Sequence, residues 1–183
     1  MSNYTSFTRN IHTSPFFAAL PLKKPMRLLL SILLFITATE ASAQTRYTKT
    51  PTGYLMVLRQ GDSIIQHLEK FALAENIPSA NFTGMGFVNV TFGFFDAKTK
   101  QYNPREFRDV EMSGMLGSIA WQKGKPSIHT HGIVTGRDFV AYGGHILSGT
   151  VGTGSLEIAI TVHDKRLERE HNEELGANVL SVE

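Results

Sequence analysis

The chain has 183 residues and no cysteine, which excludes disulfides and thiolate ligands together, so any metal has to be held by nitrogen and oxygen. Its 18 Lys+Arg against 16 Asp+Glu give a formal charge of +2, yet four of the basic residues and one acidic residue precede Gln44, leaving 14 against 15 from there on. A near-neutral body with no dense basic run gains little from counterion release, which makes nucleic acid a poor partner on charge.

The first element in chain order is a leader. In "LKKPMRLLLSILLFITATEASAQ", Lys23, Lys24 and Arg27 precede an apolar run from Leu28 to Ala38, and Ala41-Ser42-Ala43 follows. A basic segment, a short apolar core and an A-x-A ending are the parts of a secretory signal peptide, assigned here to residues 1–43. The apolar run is short for a membrane span, so a retained anchor is the weaker reading. Met26 offers a second start that would make residues 1–25 an over-extension. Cleavage after Ala43 predicts an exported chain, periplasmic or secreted, beginning at Gln44 and long enough to bury a core without covalent staples.

Residues 44–53, "QTRYTKTPTG", are polar and read as a lead-in to a domain over 54–183. "YLMVLR" (54–59) suits a short strand. "GDSIIQHLEKFALAENIP" then predicts a helix with Asp62 as N-cap, Ile64, Ile65, Leu68, Phe71 and Ala72 on its inner face and a stop at Pro78. His67 falls between the apolar positions and reads as a surface side chain. "ANFTGMGFVNVTFGFFD" is strand-like, "AKTKQYNPRE" is a polar hairpin connection, and "EFRDVEMSGMLGSIAWQ" resumes the extended pattern up to a turn at "KGKP". "SIHTHGIVT", "FVAYGGHILSG" and "SLEIAITVHD" read as three more strands separated by glycine-containing turns, and "KRLEREHNEELGANVLSVE" as a short helix or loop with a last extended piece. One helix among six or more strands predicts an α+β domain on a mostly antiparallel central β-sheet, with that helix packed on it.

Chemistry concentrates in "SIHTHGIVTGRDFVAYGGH". Side chains alternate along a strand, so His129 and His131 point the same way, with α-carbons roughly 7 Å apart. The short "TGRD" turn makes a hairpin that brings His145 in from the next strand. Three imidazoles without a fourth protein ligand leave the open position of a catalytic or ligand-binding zinc site. Gly143 and Gly144 are unfavourable in a strand unless something passes close, and clearing room around the ligands is the expected reason. The bland alternative is three hydrogen-bonded histidines on a sheet. Glu111 and Glu157, on neighbouring strands, are candidates to orient the rings or serve as a general base, against solvated strand faces. Trp121 and the phenylalanines from Phe82 to Phe95 read as core, and His163 and His171 as surface residues. "GTVGTGS" lacks the Lys-Ser/Thr ending of a phosphate loop, and Ser148 and Ser155 lack a nucleophile elbow.

Taken in order, "LRQGDSIIQHLEKFALAENI", "GMGFVNVTFGFFD", "EMSGMLGSIA", "HTHGIVTGRDFVAYGGHI" and "LEIAI" resemble the plant and prokaryote conserved (PPC) domain, also called domain of unknown function 296, from about Tyr54 to the C-terminus. That resemblance implies an α+β fold on a central antiparallel sheet, assembled as a homotrimer. It also implies that His129, His131 and His145 stand where prokaryotic members carry a metal-holding histidine cluster, with zinc (Zn2+) the expected ion. In plant members the domain accompanies AT-hook DNA-binding motifs and mediates protein association, but this chain contains no Arg-Gly-Arg-Pro hook. The cupins also place H-x-H on a strand, yet their pattern wants a carboxylate four residues after the second histidine, where Thr135 stands. The expected function is therefore an exported trimer that binds a divalent metal through His129, His131 and His145. Its open position would serve a small ligand or metal-assisted hydrolysis, with Glu111 or Glu157 moving the proton. A non-enzymatic association module and a DNA-binding protein are the alternatives.

Overall fold

A computed structural model describes residues 45–182, so the leader expected over 1–43, its cleavage point and Gln44 lie outside the described residues. The elements are β1 (Tyr47–Thr50), β2 (Gly53–Arg59), α1 (Ile64–Ala74), β3 (Ser79–Asp96), β4 (Gln101–Gln122), β5 (Lys125–Thr135), β6 (Ala141–His163), β7 (Glu168–Asn172) and β8 (Ala177–Ser181). All belong to one sheet apart from the helix, and every pairing is antiparallel except a single parallel pair, Trp121 with Glu168, between β4 and β7. The architecture is the expected one: mostly strand, with one helix.

Four long strands carry the fold. β3 pairs with β4, β4 with β5, β5 with β6, and β6 back with β3, so they close into a ring without a free edge between them. β2 and β1 extend the sheet from the C-terminal half of β6, where Arg59 faces Ser155 and Gly53 faces Thr161. Closure demands sharp bending, and one-residue bulges supply it. Between Gly84 and Gly86 of β3, β4 runs from Met115 to Met112, one residue longer, which moves its buried set from Val110 and Met112 to Met115 and Ile119. Leu147 is likewise skipped in β6, where Thr91 faces Ser148 and Phe92 faces Ile146.

The helix packs against β5 and β6 through Ile64, Leu68, Phe71 and Ala72, all essentially inaccessible, and these join Met56, Leu58, Val88, Met112, Leu156 and Ile158 in one core. The expected N-cap is displaced by one residue. Ser63 is the cap and makes no side-chain bond, while the Asp62 carboxylate accepts the Arg59 N–H at 2.8 Å and pairs with Arg46 Nε at 2.7 Å. His67 is half-buried, its Nδ1 2.8 Å from the Ser63 carbonyl oxygen.

Three expectations are corrected. The polar lead-in contains a strand, β1, because Tyr47 packs edge-on against Phe71 and Tyr54. The two strands expected on either side of "GTVGTG" are one, β6, and Gly149 there is a seat rather than a turn: a methyl on it would stand 3.0 Å from Ile64 Cδ1 of the helix. The charged C-terminal segment ends in the expected extended piece, β8, but a strand, β7, precedes it where a short helix or loop was expected, and Gly176 at φ +66° closes the hairpin turn between them. Among the aromatics, Trp121, Phe82 and Phe92 are buried as expected, whereas Phe94 is 79% exposed.

Candidate metal centre

The β5–β6 hairpin positions the histidines. His131 lies directly opposite His145 in register, and His129 is two residues back along β5 on the same face. Thr130 between them turns the other way, is 1% exposed, and donates its hydroxyl to the Leu116 carbonyl at 3.0 Å, which fixes the alternation. The ring centroids of His129, His131 and His145 form a nearly equilateral triangle with sides of 5.1–5.2 Å. One ligand nitrogen from each lies within 4.8 Å of the others, and His129 Nε2 and His131 Nε2 are 3.2 Å apart.

The His129–His131 separation fits an ion. Tetrahedral bonds of about 2.0–2.1 Å place neighbouring ligand nitrogens roughly 3.3 Å apart. Two of the rings are also held in the right protonation state. Burial pushes His145 down to about 4, with His129 and His131 adding to the effect. His129 is lowered too, by burial first and then by Arg169 and His131. Both are therefore neutral at neutral pH, with lone pairs to give.

The predicted cluster is thus assembled, but its surroundings differ from expectation. A methyl on Gly143 would meet the Gly132 carbonyl oxygen at 2.8 Å, and one on Gly144 would meet Phe92 Cβ at 3.3 Å. The glycines admit the neighbouring strands of the ring rather than clearing space at the imidazoles. Glu157 is exposed and lines a hollow shared with His131, Leu116 and Met85, whereas Glu111 lines a different one with Asp109, Arg137 and Phe139. Among the described residues neither carboxylate hydrogen-bonds to a histidine.

Other residues at the centre carried no signal in the sequence. Tyr102 of β4 stacks on His145, centroids 4.9 Å apart and planes 21° from parallel. The C-terminal hairpin brings Arg169, His171 and Asn178 to a cavity of about 350 Å³ that His129 and His145 also line. His171 is exposed, as expected, yet it stands on that rim, with Nδ1 3.1 Å from Asn178 Oδ1. No local pattern marks these residues, since β7 reaches the cluster through one pair of residues from a strand 47 positions away in sequence.

Residues 45–164 match the Plants and Prokaryotes Conserved (PCC) domain. Among solved structures, a conjectured DNA-binding protein from Ralstonia eutropha JMP134 is 56% identical, with a TM-score of 0.73 over 75% of this chain and 96% of that one. Another conjectured DNA-binding protein, from Bacteroides thetaiotaomicron, is 29% identical, with a TM-score of 0.70 over 74% and 95%. A metal-containing protein from Archaeoglobus fulgidus is 26% identical, with a TM-score of 0.63 over 68% and 89%. Comparison with curated proteins finds no match.

Proposed function

Since the chain belongs to the Plants and Prokaryotes Conserved domain family, we propose that it is an exported, homotrimeric member that binds a divalent metal, zinc by preference, through His129, His131 and His145. The observation that carries this reading is the convergence of three imidazole nitrogens within 4.8 Å with no fourth protein ligand in the group. A relative 26% identical is itself metal-containing. Nitrogen donors without thiolate suit zinc, and a bound ion would act there as a Lewis acid with one position open to a small ligand or water.

This chain's own residues then have distinct parts. Thr130 holds the β5 alternation, Tyr102 braces the His145 ring, and Glu157, exposed on the His131 side, is the candidate to hold a proton for hydrolytic chemistry. Glu111 is the poorer candidate because it borders a separate hollow. Export rests on the leader sequence. Support for a trimer comes from the apolar surface outside the ring, where Met85, Leu116 and Ile133 are 61%, 63% and 52% exposed around one concavity. The same surface favours the second reading, a non-enzymatic association module. Duplex DNA fits less well, because the body from Gln44 onward carries 14 basic against 15 acidic residues.

Competition against a chromophoric zinc chelator tests the metal reading. His129→Ala, His131→Ala and His145→Ala should each weaken zinc by more than about tenfold, with His67→Ala unchanged. Equal zinc affinity in all four variants would sink it.

A further inference from the structure

The cavity beside the histidines is built around a buried cation that has no counter-charge among the described residues. Arg169 of β7 is 6% exposed. Its Nη2 donates to Ser118 Oγ at 2.7 Å, its Nε is enclosed without any partner, and no carboxylate among the described residues pairs with it. A guanidinium has five N–H donors in a planar fork, and here protein oxygen meets one of them. Burying such a charge is unfavourable unless a ligand or partner compensates it. Burial alone already pulls its pKa down.

The cavity's other walls include Phe95, Tyr102, Ser127, His171 and Asn178, with His129 and His145, and no Asp or Glu among the described residues lines it. A volume of about 350 Å³ suits a small molecule. We propose that this cavity is an anion site whose ligand is a small organic carboxylate, seated on Arg169 and reaching toward the His129–His131–His145 centre. A planar carboxylate matches the guanidinium fork. Phosphate fits less well, because a single guanidinium, with no lysine and no helix terminus, faces two aromatic walls that suit an apolar ligand body. Arg169 lies beyond residue 164, where the family match ends, so the site joins the family's sheet to a hairpin outside it. The reach toward the histidines rests on the metal reading, whereas the Arg169 contact does not.

Calorimetric titration of acetate, its neutral isostere acetamide, and inorganic phosphate into zinc-free and zinc-loaded protein tests the proposal. Acetate should bind in both states and more tightly with zinc, acetamide should not bind, and phosphate should bind more weakly than acetate. Arg169→Met should weaken acetate by at least about tenfold, the loss typical of a charge-assisted hydrogen bond, and Arg169→Lys by less. Should Arg169→Met fail to fold, ring-proton shifts of His129 and His145 on adding acetate to the wild type, absent with acetamide, decide the matter. Acetate that does not bind, acetamide that binds equally, or tighter phosphate overturns the carboxylate site while leaving zinc binding standing. Acetate binding by a protein that takes no zinc would instead overturn the metal reading alone.

Discussion

A methyl group on Gly117 of β4 would collide with the Phe82 ring and stand 2.5 Å from the carbonyl oxygen of His129. The backbone that carries the first ligand can lie flat only because this position has no side chain. Gly117→Ala should therefore cost roughly 1–3 kcal/mol in urea unfolding. Gly114, which has nothing within 4 Å of the added methyl, should tolerate alanine at no cost or with a gain of about 0.4–1 kcal/mol. Equal losses at both positions would contradict the packing described. At this scale the cluster was legible in the sequence because strand alternation alone puts His129 and His131 on one face, and a short hairpin turn alone brings His145 alongside. Arg169 and Tyr102 were not, since each reaches the cluster through tertiary packing that leaves no spacing signature.

The contact between β1, β2 and the helix end depends on charge as well as packing. Tyr47 and Tyr54 donate their hydroxyls to the two Glu75 oxygens at 2.8 and 2.9 Å, and both rings pack edge-on against Phe71. The hydrogen bonds from Tyr47 and Tyr54 hold the Glu75 carboxyl below its ordinary value, and the bonds to Glu75 raise both phenols. A depressed carboxyl contributes stability above its unfolded pKa and loses it as pH falls through the folded one; raised phenols contribute below 10 and lose it as pH climbs through their folded values. Thermal unfolding should show Glu75→Gln less stable than wild type at neutral pH, with the gap closing in acid below the usual carboxylate range. A gap that persists unchanged into acid would mean the ionised carboxylate is not the acceptor. The helix and the early strands followed from period and composition. β6 and the C-terminal hairpin did not, because glycines that seat a helix or admit a strand look like turn glycines until the packing partner is known, and a charged run does not reveal that one of its arginines is buried.

Across the whole molecule, the closed ring satisfies the edges of its four long strands and leaves apolar side chains on the outside. Met85, Leu116 and Ile133 are the residues the proposed trimer would cover. Leu116→Glu places a charge among them without touching the core, so sedimentation velocity should show smaller particles at micromolar concentration with an unchanged circular dichroism spectrum. A wild type that sediments as a monomer would refute the assembly. The fold class and antiparallel sheet were expected from alternating strand patterns; ring closure was not, because it needs β6 to pair with the distant β3 as well as with β5, in a register that bulges shift. Above all, the three imidazoles act as one site in the proposed function. X-ray absorption at the zinc edge of the loaded protein measures it directly. Nitrogen scatterers at about 2.0–2.1 Å with the outer-shell pattern of three imidazoles are expected, reduced in His129→Ala. A spectrum of oxygen ligands without imidazole scattering, or one unaltered by that substitution, would contradict it.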